Sequence, residues 1–344
     1  MASIPADFDP DGPGTEGLFG LPSAEEDARV VVIPVPFDAT ASFRKGTAGA
    51  PQAVAAASLQ VDLHHHTLEE PWREGIAFLA ETPDGSGGPL PAWQREATAC
   101  ADPILEAGGA TEATAEGLSR VNAIGAQVND WVYGHARRLL SQGRIPAVLG
   151  GDHSVPFGAI RAAAEAYPGL GILHIDAHAD LREAYLGFTW SHASIMYNVH
   201  ERIPQLGHIV QVGIRDFGAR EAQRIEDWSK ITAFTDHEIA WEMASGEPWM
   251  RIAARIVRSL PKHVWVSFDI DGLDPKLCPA TGTPVPGGVS WRQVQLLLQL
   301  LTEQHTIVGF DLCEVADAEF DALIGARALY SMATWAIHTH REAS

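Results

Sequence analysis

The sequence predicts an α/β protein in which helices cover both faces of a largely parallel β-sheet. Short apolar runs alternate with longer stretches of helical periodicity along most of the 344 residues, which is the pattern of such a fold. Hydrophobic residues make up 46% of the chain and charged residues 20%, a composition that can supply one large core. Polar residues follow the ends of several apolar runs, where ligand sites lie in parallel sheets.

The predicted strands are short and uninterrupted, as expected where a strand is buried on both faces. They occupy residues 30–36, 75–79, 145–150, 171–176, 208–213, 263–269 and 306–312. The predicted helices lie near residues 115–142, 156–167, 217–228, 249–260, 290–304 and 321–338. The stretch 81–109 has several Gly and Pro residues and little periodicity, so we expect a long surface excursion there.

The chain divides into a short extension and one domain. Residues 1–29 are acidic and rich in Pro and Gly, and they contain neither the basic start of a signal peptide nor an apolar segment that could span a membrane. We find no linker-like stretch after residue 115, and we expect residues 30–340 to form a single catalytic domain.

Charge and cysteine content limit the classes of partner and compartment. The net charge is −20, with 44 acidic and 24 basic residues, which argues against a nucleic-acid partner. The charge is compatible with a small cationic substrate, although acidity can also serve solubility alone. Three cysteines are too few and too scattered for a disulfide framework, so we expect a reducing compartment, the cytoplasm, and no membrane association.

Two of the apolar runs end in residues that can bind metal ions. The run 145–150 stops at two glycines and is followed by His153. After the run 171–176, Asp176, His178 and Asp180 recur at every second position. In an extended backbone this spacing places all three side chains on one side.

A third run ends in two further carboxylates, Asp269 and Asp271, again two residues apart. Any single Asp at such a place can be an ordinary turn or cap residue. Asp176 and Asp269, however, have apolar neighbours on both sides, and an unpaired carboxylate is costly in such surroundings. Because the three motifs contain no Lys or Arg, metal ions are the expected source of neutralising charge.

The type and number of ligands indicate which metals bind. Four carboxylates and two imidazoles without a thiolate suit Mn²⁺ or a similar ion better than a structural Zn²⁺. Six side chains are more than one ion in an open catalytic site requires, so we predict a binuclear site with ions roughly 3.5–4 Å apart. Such a pair can lower the pKa of a water molecule and supply hydroxide as the nucleophile.

The three motifs, in this order, resemble those of the ureohydrolase family, which includes arginase and agmatinase. They are Gly-Gly-Asp-His-Ser at 150–154, Asp-Ala-His-Ala-Asp at 176–180 and Ser-Phe-Asp-Ile-Asp-Gly-Leu-Asp-Pro at 267–275. The resemblance covers roughly residues 30–340. It implies a three-layer α/β/α fold with an eight-stranded, mostly parallel sheet and a homo-oligomer, either a trimer or a hexamer.

The resemblance also implies a role for each predicted ligand. One metal ion would be bound by His153 and Asp180, the other by His178 and Asp271, and both by the bridging residues Asp176 and Asp269. Asp271 would also contribute to catalysis.

Two further catalytic residues follow from the resemblance. His192 is similar to a histidine that transfers a proton to the leaving amine, for which imidazole is suited near neutral pH; the alternative is an ordinary loop histidine. Glu314 is similar to an acid that pairs with the guanidinium group; the alternatives are a capping role or a local ion pair.

The segments that differ within the family limit the substrate. In residues 188–198, neither neighbour of His192 follows the pattern of Asn and Gly that arginases carry beside the shuttle histidine, so arginine is not the expected substrate. This segment is closer to agmatinase-like enzymes, although Ala193 stands where those usually have Gly. Residues 34–37 and 42–47 resemble a subgroup that includes nickel-dependent hydrolases of free guanidine.

We therefore predict hydrolysis of a small guanidino compound, agmatine-like or a free or alkylated guanidine, to urea plus an amine or ammonia. The expected cofactors are two Mn²⁺ ions per chain, with Ni²⁺ as the alternative. A formimino-group hydrolase and a non-catalytic paralogous subunit remain alternative functions.

Other histidines are interpreted without a metal. His64, His65 and His66 are adjacent, so they would alternate in direction on an extended chain, and we interpret them as solvated surface residues. His174 lies on the same side of its strand as Asp176 but deeper, and we predict a packed core histidine.

Overall fold

Eight parallel strands form one sheet in the order β2-β1-β3-β8-β7-β4-β5-β6. The computed structural model describes residues 4–5, 7–14, 16–82 and 87–342. The strands are β1 (Val30–Val35), β2 (Ile76–Phe78), β3 (Ile145–Gly150), β4 (Leu170–Ile175), β5 (Leu206–Ile214), β6 (Ile231–Thr235), β7 (His263–Asp269) and β8 (Thr306–Cys313). The predicted parallel sheet is therefore confirmed.

Helices cover the sheet on both faces. They are α1 (Ala50–Ser58), α2 (Leu90–Glu106), α3 (Ala115–Ser141), α4 (Phe157–Ala166), α5 (Ile195–Arg202), α6 (Ala219–Asp227), α7 (Asp236–Ala244), α8 (Trp249–Arg258), α9 (Trp291–Thr302) and α10 (Glu319–Glu342). The six predicted helices correspond to α3, α4, α6, α8, α9 and α10.

Strand β1 shows how the two cores are divided. Val30 and Val32 pack into a cluster with side chains of α1, α8, α9 and α10. Val31 and Ile33 pack into a second cluster with side chains of α3, α4 and α5. Because alternate residues of a strand face opposite ways, each face of the sheet has its own helical layer, and the apolar runs are continuous because both faces are buried.

The expected surface excursion at 81–109 is wrong for most of its length. Residues Leu90–Glu106 form α2, which buries Leu90, Ala97, Ala101 and Ile104. These positions are seven, four and three residues apart, so they lie on one face of a helix. Pro91 lies in the first turn, where the missing N–H group has no helical partner. Residues 83–86 lie outside the described residues.

Strand β6 was not predicted from the residues. It is an edge strand in which only Ile231 is fully buried and the next four residues are half-buried. The other seven strands are predicted by continuous apolar runs. A half-buried edge strand has no such run, so the sequence gives no signal of this kind for β6.

Three apolar side chains before β1 pack against the later part of the chain. Leu18, Phe19 and Leu21 are buried, and the Phe19 ring lies 5.0 Å from the ring of Tyr330 in α10. Within the described part of the chain, no helix combines the length and the apolar character that crossing a membrane requires.

Candidate metal centre and substrate cavity

The predicted site residues converge at the carboxyl edge of four neighbouring strands. Strands β3, β8, β7 and β4 are adjacent in that order. His153 follows β3, Glu314 follows β8, Asp269 ends β7, and Asp176 follows β4. The structure thus brings together residues that lie as far apart as 161 positions in the chain.

His153 is held in a turn that only glycine permits at its start. A Cβ atom on Gly151 would lie 1.9 Å from the carbonyl oxygen of Phe37, so the close approach of the two backbones excludes any larger residue. The His153 Nδ1 atom lies 3.2 Å from Asp176 Oδ2, 3.5 Å from Asp180 Oδ2 and 3.3 Å from Asp269 Oδ2. One imidazole nitrogen therefore faces three of the four predicted aspartate ligands.

His178 faces the remaining carboxylate. Its Nδ1 atom lies 3.1 Å from Asp271 Oδ2 and 3.5 Å from Asp176 Oδ1. Its backbone N–H donates to Asp176 Oδ1 at 2.6 Å. Asp176 therefore has one carboxylate oxygen on the side of His153 and the other on the side of His178.

The loop after β7 orients the last two aspartates. The backbone N–H of Asp271 donates to Asp269 Oδ1 at 2.9 Å, which leaves Asp269 Oδ2 facing His153. The backbone N–H of Ala177 donates to Asp271 Oδ1 at 3.1 Å, so Asp271 Oδ2 is the oxygen that faces His178. All four aspartates are buried.

Charge in the cluster is not balanced by protein cations. Among the described residues, no Lys or Arg forms an ion pair with Asp176, Asp180, Asp269 or Asp271. Burial raises the pKa of Asp180 well above its usual value, and the charge of Asp176 raises it further. Burial likewise raises the pKa of Asp269, together with the charges of Asp271 and Asp176. The site therefore favours added positive charge.

The pKa values of His178 and His153 are raised as well, because carboxylates surround both imidazoles. Burial alone would lower the pKa of His178, but hydrogen bonds with Asp176 and Asp271 outweigh it and raise the pKa to about 12. Burial also opposes protonation of His153, and contacts with Asp176, Asp269 and Asp311 raise its pKa well above the usual value. Without metal ions, protons on these imidazoles supply part of the missing positive charge.

The donor set fits divalent metal ions. Ligand atoms of His153, His174, Asp176 and Asp180 lie within 4.8 Å of one another, and so do those of Asp176, His178 and Asp271. The two groups share Asp176, which is the arrangement that a bridging carboxylate requires. Imidazole and carboxylate donors suit Mn²⁺ and related ions.

Two site residues have left-handed backbone conformations. Asp180 has φ 54° and Glu314 has φ 60°. Such conformations are uncommon for residues other than glycine, and they cluster at functional sites where the surrounding fold imposes them.

Glu314 lies beside the predicted ligands. Its Oε1 atom accepts a hydrogen bond from the backbone N–H of His153 at 3.0 Å. Burial raises the pKa of Glu314 well above its usual value, and the charge of Asp152 adds to this effect. The carboxylate forms no ion pair with a described residue, so a cationic group beside it would be stabilised.

His192 lies at the mouth of the cluster, in a short 3-10 helix before α5. It lines a cavity of about 180 Å³ together with His178, Asp180, Tyr185 and Thr283. Its Nδ1 atom has no hydrogen-bond partner in the described part of the chain. Burial, followed by the charge of His178, lowers its pKa to about 4, so this imidazole is neutral at pH 7.

Sequence reasoning missed the role of His174. It is buried, as predicted, but its Nε2 atom lies 2.8 Å from Asp176 Oδ2. Its Nδ1 atom lies 3.0 Å from the Gln211 amide nitrogen, which also donates to the Ala179 carbonyl. The position of His174 two residues before Asp176, on the same side of the strand, was the available signal.

A second polar group behind His153 was also missed. His153 Nε2 lies 2.9 Å from Ser267 Oγ, which donates to Asp311 Oδ1 at 3.0 Å. The indole nitrogen of Trp265 donates to Asp311 Oδ2 at 2.5 Å. An aspartate inside the apolar run 306–312 was the signal, because a buried carboxylate requires partners.

The adjacent surface histidines differ from one another. His64 and His66 are exposed, as predicted. His65 is half-buried, with its ring 4.9 Å from that of Trp335, and its Nδ1 accepts the backbone N–H groups of Thr67 and Leu68. Burial lowers the pKa of His65 to about 4, so this residue has a structural role.

Comparison with known proteins identifies the family. The sequence profile of the arginase family matches residues 28–334. A protein of Thermus thermophilus named N(1)-aminopropylagmatine ureohydrolase is 34% identical over 310 residues, which cover 88% of each chain. An agmatinase of Salmonella paratyphi B is 29% identical over 311 residues, covering 90% of this chain and 86% of that protein.

Solved structures agree on the fold. The crystal structure of the agmatine ureohydrolase of Thermoplasma volcanium has a TM-score of 0.69 at 24% identity and covers 94% of both chains. An arginase from Medicago truncatula has a TM-score of 0.66 at 21% identity, covering 90% of this chain and 87% of that one. The predicted fold, family and enzyme class, a metal-dependent ureohydrolase, are confirmed by these matches. The chain belongs to the arginase family.

Proposed function

We propose that this protein hydrolyses a small guanidino compound to urea and an amine or ammonia at the cluster described above. The observation that carries the proposal is a set of four buried aspartates with buried His153 and half-buried His178, whose negative charge is not balanced by any described Lys or Arg. Glu314 lies beside this set and forms no ion pair with a described residue. Such a site is suited to two divalent cations and one cationic substrate.

The proposed ligands divide into two groups. His153 and Asp180 would hold one ion and His178 and Asp271 the other, while Asp176 and Asp269 would contact both. When bound, two such ions would lower the pKa of water and supply hydroxide as the nucleophile. Asp271 is also proposed as a catalytic residue, because its Oδ2 contacts His178 and Thr283, both of which line the cavity.

Glu314 is proposed to orient the substrate. A planar guanidinium group can donate two parallel hydrogen bonds to one carboxylate. Glu314 Oε1 is already fixed by the His153 backbone N–H, so the side chain holds one orientation. The Glu314 side chain also lines a small recess with Ala41, His192 and Thr283, which connects guanidinium binding to the proposed proton donor.

His192 is proposed to transfer a proton to the leaving amine. The unpartnered Nδ1 atom and the cavity at this side chain support this role. A neutral imidazole at pH 7 can accept a proton from the attacking water and return it to the departing nitrogen.

The substrate is proposed to be a small cation. The net charge of −20 and the acidic cluster favour cations. The cavity of about 180 Å³ at His192 suits a compact guanidino compound, agmatine-like or a free or alkylated guanidine. Several relatives are named for agmatine or aminopropylagmatine. Both of these compounds carry the guanidino group at which the proposed reaction takes place.

Further proposals concern the cofactor and the setting of the enzyme. Mn²⁺ is the proposed metal, with Ni²⁺ as the alternative. The chain is proposed to act as a trimer or hexamer in the cytoplasm, without nucleic-acid or membrane partners; its three cysteines are all free thiols, which is consistent with a reducing compartment. Residues 30–340 are proposed as one catalytic domain, with residues 1–29 as an extension packed on it.

A substrate screen tests the proposal. The purified protein is loaded with Mn²⁺ or with Ni²⁺ and incubated with agmatine, free guanidine, methylated guanidines and guanidino acids, and urea is measured. We expect urea from at least one compound, and none after exhaustive chelation. Formamide with a free amine from a formimino compound, or no product from any compound, would contradict it.

A further inference from the structure

A loop of the chain covers the proposed substrate site. This loop, residues 38–48, is called the strap below. Its members Ala41, Ser42, Phe43 and Arg44 line a recess whose other walls include His192 and Glu314. The tip of the strap is exposed, and the Phe43 side chain has 72% of its surface accessible. Thr40 donates to Asp152 Oδ2 at 3.3 Å and Arg44 donates to the Pro279 carbonyl at 3.2 Å, and further contacts lie at the base of the strap.

Asp38 fixes the base of the strap from within. Its Oδ2 atom accepts the backbone N–H of Gly46 at 2.8 Å and that of Ala48 at 3.1 Å. The side chain is buried, with 3% of the residue accessible, and it forms no ion pair with a described residue. A buried carboxylate of this kind depends on hydrogen-bond donors for its stability.

Gln94 of α2 supplies the remaining donor. Its Nε2 atom donates to Asp38 Oδ1 at 2.7 Å, and its Oε1 atom accepts the backbone N–H of Asp38 at 3.0 Å. The Gln94 amide therefore forms two hydrogen bonds with Asp38, one with its side chain and one with its backbone. A second contact between helix and strap, the Lys45–Asp102 ion pair, is exposed and contributes less.

We propose that Gln94 is a positioning residue that holds the strap over the substrate. This inference rests on the proposed function of the site. Gln94 itself contacts none of the predicted ligands, His192 or Glu314, so it acts through Asp38. A loosened strap takes away contacts that the substrate makes equally in the bound ground state and in the transition state. KM therefore rises and kcat stays nearly unchanged.

Two substitutions at Gln94 and one matched control on α2 test the inference. Gln94→Leu removes both hydrogen bonds, and Gln94→Glu keeps the shape but places a second carboxylate against Asp38. The control, Glu96→Gln, breaks a paired contact of the same helix with Arg120 of α3 and leaves the strap untouched. Urea release gives KM and kcat, and amide hydrogen exchange is measured on peptides that contain Gly46 and Ala48.

We expect KM to rise about tenfold for Gln94→Leu and further for Gln94→Glu, with kcat within about twofold and normal metal content. Exchange at residues 46 and 48 should accelerate in both variants and not in the control. Unchanged exchange, unchanged KM, or an equal effect of Glu96→Gln overturns the inference. Since exchange requires no turnover, it tests the Gln94–Asp38 contact even if the wild-type protein releases urea from no compound.

Discussion

The two halves of the candidate metal centre differ in their access to solvent. In the inner half, His153 is fully buried and Asp180 has 6% of its side chain accessible. In the outer half, Asp271 is buried but His178 has 24% of its side chain accessible. The inner histidine is also fixed from behind by Ser267 and Asp311. We therefore propose that the inner half retains its metal ion more tightly, although Asp180 of the inner half and His178 of the outer half both line the cavity at His192.

The largest effect is expected at the residue that both halves share. Replacement of Asp176 by Ala removes the carboxylate that faces both histidines. We expect both ions to be lost and urea release to fall by at least about a thousandfold, since the ions account for several kcal/mol of transition-state stabilisation. Metal content by mass spectrometry and urea release check this, with circular dichroism as the control for folding. Retention of one tightly bound ion in Asp176→Ala would show that the halves are independent.

Removal of the imidazole at the cavity separates catalysis from metal binding. His192→Ala should lower kcat by about a hundredfold, because general acid–base catalysis contributes this much or more. Metal content should stay at the wild-type value, since His192 is not among the groups of candidate ligands. An unchanged kcat would assign His192 to the wall of the cavity alone.

The groups behind His153 offer a way to weaken the inner half selectively. Asp311→Asn keeps the shape of the side chain but removes the charge next to His153 Nε2. Hydrogen-bonded groups behind a metal ligand change metal affinity by about 10- to 100-fold. We expect a loss of this size for the ion of the inner half alone. Competition with a metal chelator measures both affinities. An equal loss for both ions would contradict the separation into halves.

Metal affinity is also expected to depend on pH. Without metal, the pKa of His178 is about 12 and the pKa values of Asp180 and Asp269 are raised, so these groups hold protons that metal binding must displace. Affinity should therefore rise with pH and fall as pH is lowered, with release of protons on binding. Calorimetry in buffers of different ionisation enthalpy measures the proton release. An affinity that is constant between pH 6 and pH 8 would contradict this reasoning.

The parts of the molecule differ in how far they could be predicted from the sequence. The predicted ligands lie at strand ends, and local spacing together with the apolar run before each motif was sufficient to predict that they converge. Asp311 and Trp265 are 46 residues apart, and their contact depends on the pairing of β7 with β8, which no local pattern indicates. Helix α2 was missed because the residues before it are rich in Gly and Pro and because its buried face has only four residues, two of them Ala.

The central claim is that two metal ions support release of urea, and a titration of metal-free protein tests it most directly. Mn²⁺ or Ni²⁺ is added in known equivalents with a guanidino substrate that the screen identifies, and bound metal and urea are measured at each step. We predict that urea release reaches its maximum only when two ions are bound per chain. Full activity with one ion, or activity that persists in the metal-free protein, would contradict the claim.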